Sequence, residues 1–86
     1  MSKPTEAGKR AAGRAAEARR GELRMTQIEA AAKAGVDVKT LRSLEAGERW
    51  PIAKKLAAIS AVLQFGPGYL RMIADAPPAE PERAAS

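Results

Sequence analysis

The stretch from Thr26 to Gly47, TQIEAAAKAGVDVKTLRSLEAG, constrains this 86-residue chain more than any other. It holds two short helical patterns divided by a Gly-Val turn. Thr26 can cap the first helix through its hydroxyl, and Gln27 and Ile28 open it. Ala30, Ala31 and Ala34 make a narrow face on which a second helix can lie closely. Gly35 supplies the left-handed backbone that ends a helix without steric cost, and Val36 buries the corner. Asp37 is placed to cap the second helix, Val38 to Ala46. At about 100° per residue, Leu41 and Leu44 point one way, while Val38, Lys39, Arg42, Ser43 and Ala46 share the other side. The first side suits a core; the second is polar, basic and clear of it.

The flanks supply what such a pair needs to bury its apolar side. Residues 1–8 hold a Pro, a Gly and no apolar periodicity, which predicts a flexible, mildly basic arm or a frayed helix start. Lys9 to Leu23 is Ala-rich and Arg-studded, with Ala12, Ala16 and Leu23 toward the central pair; alanine's helix propensity lets this helix form with little help from packing. After Gly47, Pro51 suits the first turn of a helix. Leu56, Ile59 and Leu63, with Ala53 and Val62, continue it as an apolar stripe. Trp50 reads as a core or hinge residue sealing the preceding loop, and Phe65 as a buried plug in the turn QFGPG. Pro67 can open a last helix through Tyr69, Leu70, Ile73 and Ala74, which either closes the core or meets a second copy. Residues 76–86, acidic and rich in Pro and Ala, predict a disordered tail. The expected fold is all-α, with helices near 9–22, 27–34, 38–46, 52–63 and 67–75 in one domain over 9–75. Its predicted core is Leu23, Ile28, Ala31, Leu41, Leu44, Leu56, Ile59, Leu63, Phe65 and Leu70.

Thr26-Gln27 at the first helix start, Ala31 at the helix crossing, Gly35 in the turn, Leu41, Leu44 and the Glu45-x-Gly47 ending stand at fixed spacing. In these residues the chain resembles the lambda-repressor-like (Cro/Xre-type) helix-turn-helix family, from about Ala12 to Gly47. The resemblance implies a compact five-helix domain whose third helix enters the DNA major groove, in a small phage- or prophage-type transcriptional repressor. It also implies an ion pair between Arg20 and Glu45 that ties the first helix to the end of the third. Family members usually carry larger aliphatic residues where Ala12 and Ala16 stand, so the core is expected to be thin there unless Trp50 or Phe65 fills it. Arg24 stands where the family often has Gly, so the first turn is expected to run differently.

Side-chain chemistry divides the expected contacts. Val38, Lys39, Arg42 and Ser43 are the expected base readers: Arg42 can donate to the guanine edge, Lys39 to the same edge or to a phosphate, Val38 can meet a thymine methyl, and Ser43 can bond either way. Thr26, Gln27, Lys33, Thr40, Arg49, Lys54 and Arg14 are expected on the phosphate backbone, with Gln27 also buttressing the third helix. Lys55 stands beside Lys54 near the start of the fourth helix.

Composition narrows the alternatives. There is no cysteine and no histidine, which removes disulfides, thiolate and imidazole metal ligands, and the Ser-His and Cys-His nucleophile pairs. No acidic cluster or glycine-rich phosphate loop supports a carboxylate or lysine site, so the expectation is no enzyme, no metal and no cofactor. Three aromatic residues are too few for a base-stacking sheet. No apolar run reaches the roughly 20 residues of a membrane span, and no signal-peptide pattern opens the chain, which predicts a cytoplasmic protein. The net charge of +5 is uneven: Met1 to Ala74 carries 14 Lys and Arg against 7 Asp and Glu, whereas Asp75 to Ser86 carries one Arg against three acids. The folded part is thus more basic than the total suggests, as a phosphate-binding surface requires. Double-stranded DNA is the expected partner, with no small-molecule ligand, bound by a monomer or by a weak homodimer that pairs on DNA. The competing expectation is an antitoxin-like or adaptor module that uses the same bundle to grip a protein.

Overall fold

In a computed structural model that describes residues 3–76, five helices follow one another: α1 (Glu6–Glu22), α2 (Gln27–Ala34), α3 (Val38–Glu45), α4 (Ala53–Val62) and α5 (Tyr69–Asp75). No strand occurs among the described residues. Side chains cap the first three. Thr5 Oγ accepts from the Gly8 amide at 3.0 Å, which starts α1 at Glu6, so residues 6–8 are the start of the helix and not part of an arm. Thr26 and Glu29 form a reciprocal capping box at α2, and Asp37 accepts from the Lys39 amide at α3. Neither α4 nor α5 has a side-chain cap, and each begins later than expected. Gly68, at φ 80°, cannot be helical, so Pro67 precedes α5 instead of opening it. Residues 1–2 of the expected arm and the tail past Ala76 lie outside the described residues.

Helices α1 to α4 end alike. A residue with positive φ follows each, its amide bonding back three residues and the next amide five: Arg24 and Met25, Gly35 and Val36, Gly47 and Glu48, Gln64 and Phe65. Two of these positions are glycine, as the conformation favours. The other two are Arg24 at φ 58° and Gln64 at φ 61°. The first turn therefore takes the left-handed conformation that glycine favours, with an arginine in it.

The core consists of Ala12, Ala16, Ala30, Ala31, Leu41, Leu44, Leu56, Ile59, Leu63, Leu70 and Ala74. Helix α1 lies on α3 and α5, and α2 on α3 and α4. The space expected around Ala12 and Ala16 is closed by approach of the helices, not by a large side chain. A Cβ on Gly13 would stand 2.6 Å from the Glu45 carbonyl oxygen and overlap that of Leu44, and one on Gly8 would overlap the Ala74 carbonyl. Trp50, Phe65 and Leu23 are only half-buried. Phe65 lies 4.5 Å from the Tyr69 ring and beneath the Arg19 guanidinium.

Ile28 departs most from expectation, being 64% exposed. With Ala30 and Ala31 marking the inward face of α2, a turn of about 100° per residue places Gln27 and Ala34 at its centre and Ile28 about 110° away. The inward position at the helix start is thus held by an amide.

Candidate nucleic-acid interface

Leu41, Leu44 and Glu45 are all buried, and they anchor α3. Glu45 is held by three hydrogen bonds from two residues. Arg20 donates through Nε to Oε2 at 2.7 Å and through Nη2 to Oε1 at 3.1 Å, and Gln27 Nε2 donates to Oε1 at 2.9 Å. The remaining arm of Arg20, Nη1, donates to the Met25 carbonyl at 2.9 Å. The Arg20 and Glu45 side chains are only 16% and 4% exposed, so this bidentate pair is geometrically strong and poorly screened. The hydrogen bond to Glu45 raises the Arg20 pKa above the ordinary arginine value, burial opposing it. A raised folded-state pKa means that this stabilisation is complete below the ordinary value. It is lost only as pH rises through the higher folded one, so moderately alkaline buffers leave it intact.

With its inner side so fixed, α3 turns an arc of Val38, Arg42, Lys39, Ser43 and Thr40 outward. Lys39 and Arg42 are exposed; Thr40 and Ser43 are half-buried. Val38 is half-buried and packs against the core, which leaves only part of its surface for a base. The arc has two flanks. On one, Arg42 Nε donates to Gln27 Oε1 at 3.3 Å. On the other, Lys39, Thr40 and Ser43 line a hollow of about 370 Å³ with Arg49, Trp50, Pro51, Ile52 and Lys55. Among the described residues, Lys39, Arg49 and Lys55 have no ion-pair partner. Three unpaired cations and two hydroxyls around one concavity suit an anionic oxygen.

The expected phosphate set is therefore only partly gathered. Thr40 and Arg49 line the hollow; Lys54 is exposed outside it, and Lys55, one position on, lines it. A single step of about 100° along α4 makes that difference. Trp50, expected as a core or hinge residue sealing a loop, packs against the core and is also a wall of the hollow. Thr26 spends its oxygen as the α2 cap, which leaves its hydroxyl proton to donate outward. Lys33 is exposed on α2. Arg14 is exposed on α1 beside Gly13, and no contact joins it to the hollow.

Among the described residues, no helix is long and apolar enough to cross a membrane. No curated protein matches the chain. A family model described as helix-turn-helix matches residues 16–70, more than half of the chain and a span that includes α2, α3, the hollow and both partners of the Arg20–Glu45 bridge. The chain belongs to the Cro/C1-type, lambda-repressor-like helix-turn-helix family of DNA-binding regulators.

Proposed function

We propose that the protein binds double-stranded DNA sequence-specifically by placing α3 in the major groove, and that it acts as a small repressor of phage or prophage type by occupying promoter DNA. The observation that carries this reading is the division of α3: Leu41, Leu44 and Glu45 hold it rigidly while Lys39, Arg42 and Ser43 stand outward beside a cationic hollow. Arg42 and Lys39 serve as donors to a guanine edge, Ser43 bonds a base, and the exposed part of Val38 meets a thymine methyl. Thr26, Gln27, Lys33, Thr40, Arg49, Lys54 and Lys55 meet phosphates, which position the protein without specifying sequence. Arg14 adds a contact only where the duplex reaches α1.

Selection of bound fragments from random duplexes, followed by a salt titration on the selected site, tests the reading. The four cationic contacts, Lys33, Arg49, Lys54 and Lys55, give a slope of log K against log salt of about −4. A flat salt response or an empty selection would sink it.

A protein contact has its own support next to the hollow. Ile52, Ala53, Leu56, Ala57, Pro67 and Gly68 line a mainly apolar groove of about 480 Å³ between α4 and the start of α5, and Ile52 is 64% exposed. This surface supports weak pairing of two copies on DNA. Trp50, Pro51 and Ile52 line both the groove and the cationic hollow, so the two surfaces adjoin. Sedimentation with and without the selected duplex checks it: a tight dimer at nanomolar concentration without DNA would contradict weak pairing.

A further inference from the structure

We propose that Arg24 is a DNA phosphate contact: its guanidinium stands on the Gln27 flank of α3 and meets the strand opposite the one that the cationic hollow faces. The proposal rests on the reading that α3 enters the major groove, and it gives a charge to a turn position where glycine would leave none.

A helix in the major groove is bordered by the phosphates of both strands, across a width of about 12 Å. Both flanks of α3 then face anionic oxygen. One flank has its cations, since Lys39, Arg49 and Lys55 border the hollow without ion-pair partners among the described residues. On the other, beside Arg42, stand Thr26 and Gln27, which are neutral. Lys33 lies six residues past Gln27, about 9 Å along α2. Arg24 comes two residues before Thr26, within about 7 Å along the chain. Its turn is tied to that flank. The Arg24 amide donates to the Gly21 carbonyl at 3.0 Å and the Met25 amide to that of Arg20 at 3.1 Å. The Met25 carbonyl accepts from Arg20 Nη1, and the same guanidinium grips Glu45 at the end of α3. One side chain thus joins the turn to α3 next to Gln27.

Arg24 is exposed, and among the described residues its side chain has no hydrogen bond, ion pair or ring contact. The carboxylates nearest in sequence are engaged elsewhere, Glu22 with Arg19 and Glu29 with the Thr26 amide. Its backbone is left-handed at φ 58°, a conformation that disfavours any residue with a Cβ. Gln64 takes the same conformation at the end of α4, so a helix end of this kind accepts a long polar side chain. What Arg24 adds is charge, with no acceptor among the described residues, on the flank of α3 where cations are few.

Salt titrations of wild type, Arg24→Gln and Arg24→Lys on the selected duplex and on an unrelated one decide the matter, with the melting temperature of each free protein alongside. Arg24→Gln keeps a side chain that this chain already carries in the same conformation, and removes the charge. It is expected to reduce the slope of log K against log salt by about 1 on both duplexes and to leave melting unchanged. Between about 50 and about 200 mM salt, wild type then loses about 3.5-fold more affinity than Arg24→Gln. Arg24→Lys is expected to keep the wild-type slope. Arg24→Gly is the second variant if Arg24→Gln melts below the assay temperature: melting should rise by about 4–8 °C as the left-handed turn relaxes while the slope falls by about 1. An unchanged slope in the variant, with wild type still steep, overturns the contact and leaves DNA binding in place. A loss confined to the selected duplex overturns it as well, because a phosphate contact carries no sequence information. A flat response in wild type ends both readings.

Discussion

Helix α3 carries charge in two settings that use the same residue types to opposite ends. Near its C-terminus, Glu45 is buried and bonded by Arg20 and Gln27; along its outer face, Lys39 borders an open hollow with Arg49 and Lys55, all without ion-pair partners among the described residues. In the first setting every strong donor faces an acceptor inside the protein, so charge becomes position. In the second the donors have no internal acceptor, so charge remains available to phosphate. The difference shows that an arginine's role here follows from its burial and partner, not from its presence in a basic stretch.

The comparison is easiest to break at Glu45. Glu45→Ala should cost about 3–5 kcal/mol, because it leaves the Arg20 guanidinium without its carboxylate in a poorly solvated place, and urea unfolding measures it. A loss below about 1 kcal/mol would make the pair no better than a surface bridge. Next is the close approach that puts α1 beside the end of α3. Gly13→Ala forces a methyl into the Leu44 and Glu45 carbonyls and should cost about 1–3 kcal/mol as overpacking, again read by unfolding. If it stabilises through helix propensity instead, α1 stands further off than described.

Arg24→Gly should do the reverse, adding about 1 kcal/mol by relieving a left-handed non-glycine residue. The gain depends on Met25 staying where its carbonyl accepts from Arg20, so a thermal melt that falls would tie the turn sequence to the buried cluster. The exposed setting should respond least in stability. Arg49→Ala and Lys55→Ala are each expected to leave Tm unchanged while reducing the salt slope by about 1. A drop in Tm of several degrees would mean that the hollow is structural.

The central pair and its corner were legible because their signals are local. Thr26, Gly35 and Asp37 act on their own backbone, and Leu41 and Leu44 recur at helical spacing. Arg20 and Glu45 were legible only through the family resemblance, since nothing local joins residues 25 positions apart. Ile28 was misplaced because an isoleucine at a helix start reads as core, whereas the inward direction is set by Ala30 and Ala31 and taken by Gln27. Lys55 was legible only as a neighbour of Lys54, since which of the two borders the hollow depends on where α3 and the 49–52 loop lie relative to α4.

By itself, then, the sequence determined the all-α class, the helix–corner–helix unit, the basic outer face of α3 and the absence of thiol and imidazole chemistry. Each depends on propensity, periodicity or composition, which are properties of residues and their near neighbours. Only the tertiary structure decided that α1 meets α3 and α5 backbone to backbone through Gly13 and Gly8, and that Arg24 and Gln64 end helices as glycine would. It alone joined Gln27 to both Glu45 and Arg42. These outcomes depend on distances between elements to within a few tenths of an ångström, and core packing is dense enough to set such distances where a one-dimensional pattern cannot.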